Sequence, residues 1–231
     1  MTTPLVSLTF YGHACFGLTR GGTSILIDPF LAPNNPVAVH TAADVSPTHV
    51  VLTHGHGDHV GDAITVCRES KANAYALVEI AEWLTKQGVP AVDINLGGRV
   101  EIENGTIGFV PALHTNTLPD GTVVGQAAGA VIHLGSECVY HAGDTALFSD
   151  LKLIGELEKV TTLIVPIGGR YTMDIRAAAM ATAFVKPQRV IPCHYNTFPA
   201  IQADPQDFAK LVQELSDIDV TVMEPGDTIE L

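Results

Sequence analysis

From residue 50 to residue 62 the chain reads VVLTHGHGDHVGD, which places three of its 10 histidines close together in a protein of 231 residues. His54, His56, Asp58 and His59 form a His-x-His-x-Asp-His pattern. Imidazole nitrogens and carboxylate oxygens are donors that suit zinc, manganese, nickel or iron. In extended backbone, residues two apart project to the same side, so His54 and His56 can reach one ion. A turn after Gly57 would present Asp58 and His59 to a neighbouring point. An apolar, β-branched run precedes the pattern and a helical run follows it, the context in which a motif of this kind carries chemistry.

One loop rarely completes a metal site, so further donors are expected from other strand ends. His114 ends GFVPAL, Asp144 follows CVYHAG, and His194 ends RVIPC. Ends of buried strands are where α/β proteins tend to place their sites. Together these residues make five histidines and two aspartates, enough for two ions with a shared carboxylate. Two ions roughly 3.5–4 Å apart can share a water and bring its pKa toward neutrality, giving a nucleophile without a basic side chain. One ion would also polarise the carbonyl or phosphoryl oxygen under attack.

The elements that must position these donors alternate between strand and helix. Strands are expected at 5–12, 23–30 and 49–53, helices at 62–71 and 79–88. A hairpin over 99–113 turns at Asn104-Gly105, and a second over 129–144 turns around Gly135-Ser136. Strands follow at 161–169, 188–195 and 219–231, with a helix at 174–187 that begins at Asp174 and stops at Pro187. Residues 114–126 form the longest polar loop. The order suggests one domain, 1–231, of two similar halves, about 1–115 and 116–231. Two sheets packed face to face with helices outside both, a four-layer α/β sandwich, accommodate that order.

Composition agrees with a single well-packed domain: 46% of residues are hydrophobic and 16% charged. A net charge of −13 argues against nucleic acid as a partner. A small molecule is the expected partner, anionic where a metal supplies positive charge, and assembly into a homo-oligomer is compatible with the composition. No apolar run approaches the ~18 residues of a membrane span, and no signal peptide is visible at the N-terminus, so a cytoplasmic protein is expected. Cys15, Cys67, Cys138 and Cys193 lie far apart and read as free thiols.

The motifs YGHACF, IDPF, THGHGDHVGD, YHAGDT, PIGGRYTMD and IPCHYNTFP resemble the metallo-β-lactamase superfamily, in the branch of ascorbate-6-phosphate lactonase and uncharacterised metal-dependent hydrolases. That resemblance implies an αββα sandwich with the site between the sheet edges. By position it implies that His54, His56 and His114 hold one ion and Asp58, His59 and His194 a second, with Asp144 bridging. Asp144 stands where true β-lactamases typically have cysteine, so antibiotic hydrolysis is not expected.

The implied activity is hydrolysis of a small ester, lactone or phosphodiester by a hydroxide shared between two divalent ions, zinc first among the candidates. The alternative is a metal-binding protein without hydrolytic turnover, a sensor or a di-iron redox module. Asp58 could orient the hydroxide as well as ligate. The resemblance places His13 beside the metals, either as proton donor to the leaving group or as a residue that fixes the loop. Asp28 and Asp62 read as carboxylates that anchor ligand histidines, and His141 as a further support. Arg170 and Tyr171, beside Gly168 and Gly169, are candidate contacts for a substrate phosphate or carboxylate.

Overall fold

The computed structural model describes residues 5–231. The first part of the chain forms β1 (Ser7–Gly12), β2 (Cys15–Arg20), β3 (Thr23–Ile27), β4 (His49–Val51), a one-turn α1 (Gly57–Val60), α2 (Ala63–Ser70), β5 (Asn73–Ala76), α3 (Val78–Lys86) and β6 (Ala91–Asp93). There follow β7 (Arg99–Ile102), β8 (Gly105–Pro111), β9 (Ala128–Leu134), β10 (Glu137–His141), α4 (Leu151–Glu158), β11 (Thr162–Pro166), α5 (Ile175–Val185), β12 (Arg189–Cys193), α6 (Pro205–Leu215), β13 (Asp219–Val220) and β14 (Thr228–Glu230).

Two seven-stranded sheets result, ordered β14-β1-β2-β3-β4-β5-β6 and β7-β8-β9-β10-β11-β12-β13. Each begins with three antiparallel pairings and continues with three parallel ones. The chemistry of the strands follows that division. β1, SLTFYG, alternates half-buried and buried residues, as a strand with one face on a core must. β11, TLIVP, is buried throughout, the mark of a parallel strand covered on both faces.

Three apolar cores hold the layers together. Phe16, Leu18, Ile25 and Ile27 of the first sheet meet Ile107, Phe109, Ile132 and Ile164 of the second between the sheets. Val66, Ile80 and Leu84 seal α2 and α3 onto the outer face of the first sheet. Ile154, Ala178, Val185, Phe208 and Val212 do the same for α4, α5 and α6 on the second. The layers are therefore helix, sheet, sheet, helix, the expected sandwich.

Three expectations need correction. The strand over 219–231 is two strands, because the chain turns at Pro225-Gly226, where Gly226 N–H bonds Phe10 O; β13 joins the second sheet and β14 crosses to the first. The sheets also part between β6 and β7 rather than near residue 115, since the Asn104-Gly105 hairpin pairs with β9. The strand expected at 23–30 ends at Ile27. There Asp28 takes a left-handed backbone (φ 46°) and turns its carboxylate inward. Elements that the periodicity passed over are β2, β5, β6, α4 and α6. No helix among the described residues is long and apolar enough to cross a membrane.

Candidate metal centre

Every donor named from the sequence sits just beyond a strand of one sheet or the other. His54 and His56 follow β4, and Asp58 and His59 lie in α1, whose single turn swings them back toward the pair. His114 follows β8, Asp144 follows β10 and His194 follows β12. His13 occupies the β1–β2 turn. His13, Asp28 and His194 all adopt positive φ (59°, 46° and 52°), a backbone strain that the surrounding packing must sustain. Gly143 gives the turn before Asp144 its left-handed conformation (φ 61°), and a Cβ there would stand 2.6 Å from Ala128 O.

The donors fall into two groups whose atoms lie within 4.8 Å of one another: His54, His56, His114 and Asp144, and His13, Asp58, His59 and His194. Asp144 faces both. Its Oδ2 is 3.5 Å from His114 Nε2, 3.9 Å from His54 Nε2 and 3.1 Å from His194 Nε2, while Oδ1 is 3.3 Å from His59 Nε2. Asp58 Oδ2 lies 3.7 Å from His194 Nε2 and 3.1 Å from His13 Nε2.

The donor set fits divalent metal ions on two observations. First, His59 Nε2, His194 Nε2 and Asp144 Oδ1 are buried with no hydrogen-bond partner, a cost that a shared cation would remove. Second, the tautomers are set. Asp28 Oδ2 accepts from His59 Nδ1 (2.7 Å) and from Thr53 Oγ1 (2.6 Å), so the Thr53 oxygen is left to accept from His54 Nδ1 (3.1 Å). Both rings therefore turn an unprotonated Nε2 toward the cluster when neutral, as ligation requires. One carboxylate orients a histidine of each group.

The expected supports divide. Asp28 anchors His59 as read from the sequence. Asp62 does not touch a histidine: its oxygens accept from Leu31 N (2.8 Å) and Asn34 Nδ2 (3.0 Å), holding the loop after IDPF. His141 also touches no donor of the cluster. It accepts from Gly143 N at Nδ1 (3.1 Å) and donates from Nε2 to Ala14 O (2.9 Å), tying β10 to the β1–β2 turn of the opposite sheet. Both differ from the expectation because a helix cap or strand end looks the same in sequence whether it braces a ligand or a loop.

Arg170 and Tyr171 are exposed, the guanidinium 5.5 Å from the tyrosine ring. Gly168 behind them admits no side chain, because a Cβ would lie 2.3 Å from His194 O. Sequence reading passed over Thr53 and Asn116. Asn116 is buried, accepts from Gly55 N (2.8 Å) and donates to Gln126 O (2.7 Å), clamping the 114–126 loop onto the histidine motif. An asparagine two residues after His114 in a polar loop was the available signal.

Charge is unevenly spread over the cluster. Burial lowers the pKa of His54, His56 and His114. Burial also opposes charge on His194 and His59, but Asp144 and its neighbouring carboxylates outweigh it, raising His194 to about 9 and His59 well above its ordinary value. Without metal, the His59/His194 group thus holds protons at neutral pH that cations must displace. Loading of that group is expected to release protons and to tighten as pH rises toward about 9, whereas the group of His54, His56 and His114 is already deprotonated. Calorimetric metal titrations in buffers of different ionisation enthalpy measure the release; two binding steps with none would contradict this assignment.

The fold and the paired donor groups define a metallo-hydrolase-type centre, and residues 23–195 match the model of the β-lactamase superfamily domain: the chain belongs to that superfamily. Within it the chain is one of the UPF0173 metal-dependent hydrolases. It is 43% identical over 226 residues to the member from Natranaerobius thermophilus, covering 98% of this chain and 100% of that protein. Against the member from Methanopyrus kandleri it is 43% identical over 228 residues, covering 96% and 99%. Among solved structures it matches Igni18, a metallo hydrolase from the hyperthermophilic archaeon Ignicoccus hospitalis, with a TM-score of 0.90 and 39% identity over 98% of each chain.

Proposed function

We propose that the protein is a dinuclear metal-dependent hydrolase of a small ester, lactone or phosphodiester. The observation that carries this reading is Asp144, which alone among the carboxylates of the described residues lies within 4 Å of histidines from both donor groups. Its relatives' description as metal-dependent hydrolases supports the same reading. Bound divalent ions, zinc first among zinc, manganese, nickel and iron, would supply a water acidic enough to ionise near neutrality and would polarise the oxygen under attack.

The chain's own residues do the rest. His54, His56 and His114 would hold one ion, and Asp58, His59 and His194 the other, with Asp144 between them. Asp28 keeps two of those rings in the ligating tautomer. Asp58, the most exposed carboxylate of the cluster with 31% of its side chain accessible, would orient the attacking water.

His13 suits the role of holding Asp58 better than that of proton donor. Burial and the nearby His194 lower its pKa to about 4, so the ring is neutral and has one proton to place. With Nε2 donating to Asp58 Oδ2 at 3.1 Å, Nδ1 accepts from Thr197 Oγ1 at 2.8 Å, and both nitrogens are spent. His13→Ala is therefore expected to lower turnover by roughly 10- to 100-fold, the usual cost of losing a ligand's hydrogen-bond partner. The loss should be equal for substrates with good and poor leaving groups. A loss confined to poor leaving groups would return His13 to acid catalysis.

The reading is tested by screening the metal-loaded protein against lactones, thioesters and cyclic phosphodiesters, with metal content measured on the same sample. Turnover that requires two ions per chain and disappears on chelation is the expected result. Saturation at one ion in excess metal would remove the shared role of Asp144, and a fully loaded protein inert toward every class would favour metal binding without hydrolysis.

A further inference from the structure

We infer that the substrate carries an apolar group next to its scissile bond, bound against an aromatic wall made by Phe30 and Phe198; this rests on the hydrolase reading above. The two rings lie 6.4 Å apart and tilted, and each sits edge-on to His13, at 5.6 and 5.7 Å. His13 in turn contacts Asp58 and lies 4.0 Å from the His194 ring, so the wall borders the second donor group directly. Phe30 is almost fully buried, but Phe198 leaves 37% of itself in water. A large aromatic residue held partly open beside a cluster of charged donors loses the benefit of burial unless something apolar covers it.

Local structure keeps Phe198 there. It is the residue before Pro199, with an extended backbone (φ −130°, ψ 153°), and the short 3-10 turn Pro199–Ile201 is pinned under it by buried Ile201. Phe30 is fixed from behind by Asn35, whose side-chain amide donates to its carbonyl at 2.9 Å. The wall is thus preformed rather than assembled by the ligand.

The charge pattern points the same way. His13 also borders a cavity of about 480 Å³ lined by Phe10, Val37, Tyr195, Met223 and Glu224, whose lining includes no lysine or arginine. A group that passes His13 into this cavity meets apolar side chains and Glu224 rather than a cation. An acyl or aryl group of moderate size is the class that the wall accepts.

The test uses metal-loaded protein and two probes with the same chelating head, acetohydroxamic acid and phenylacetohydroxamic acid. The native protein should bind the phenyl compound about tenfold more tightly or better. Phe198→Ala should bring the ratio below about threefold with metal content unchanged, and Phe198→Leu, which keeps apolar area and guards against a folding defect, should retain most of it. Equal binding of the two probes by the native protein, or an undiminished ratio in Phe198→Ala, overturns the wall and leaves the hydrolase reading standing. Failure of both probes to bind at all overturns the metal-centred reading, and the wall with it.

Discussion

Asp144→Ala is expected to reduce bound metal from two ions per chain to one or none and to cut turnover by at least about a thousandfold. Asp144 is 3% exposed and stands between His54 and His114 on one side and His59 and His194 on the other. No other carboxylate among the described residues lies within 4 Å of histidines of both groups, so no neighbour stands in its place. Burial disfavours its ionised form, yet His194 and His59 outweigh that and hold its pKa well below the ordinary carboxylate value. Removing the carboxylate therefore also takes from those two histidines the largest of the charges that sustain their protons. Elemental analysis after loading and dialysis, with turnover on the same sample, decides the matter. Retention of two tightly held ions would show that the groups are independent and that Asp144 does not join them.

The second large effect is expected from Asp28→Ala. Asp28 is fully buried and accepts three hydrogen bonds, from Thr53 N (2.8 Å), Thr53 Oγ1 (2.6 Å) and His59 Nδ1 (2.7 Å). Its loss strands the buried His59 donor and releases Thr53, and through it the tautomer of His54. Breaking a buried charged pair of this kind costs on the order of 3–5 kcal/mol of stability. Metal affinity should fall roughly 10- to 100-fold at both ions, because one carboxylate serves a histidine in each group. Thermal unfolding of the metal-free protein separates the first effect from the second, which a metal titration reads. A weakened second ion beside an unaffected first would break the proposed link through Thr53 to His54.

Much of this donor cluster is legible in the sequence. The His54-to-His59 pattern announces itself because donors of the right chemistry crowd one loop, and His114, Asp144 and His194 each interrupt an apolar strand end with a polar residue. Strands with clear alternation or continuous burial, such as β1 and β11, were equally plain. What escaped has physical reasons. β2, CFGLTR, carries a glycine and no alternation, since most of it is buried on both faces. β5 and β6 are short, and their place in the sheet is set by pairing with neighbours rather than by their own residues. The partners of Asp62 and His141 depend on which loop folds over them, and that is settled only in three dimensions. His13 was placed near the metals by resemblance, but that both its nitrogens are engaged needed distances.

The pairing of β14 with β1 has a kinetic consequence. Thr9 and Thr228, whose hydroxyls lie 2.9 Å apart, are separated by 219 residues. The second sheet takes all its strands from a continuous stretch, from β7 to β13, and can assemble from neighbours in the chain. The first sheet cannot complete its edge until the last residues of β14 are available, after the whole second sheet has been made. Closing so long a loop is slow compared with local pairing. During that interval β1, which supplies the strand leading into His13, has one side unpaired. The second sheet is thus placed to form early, and the β14 edge of the first, beside the strand that leads into His13, is among the last parts of the molecule to be locked.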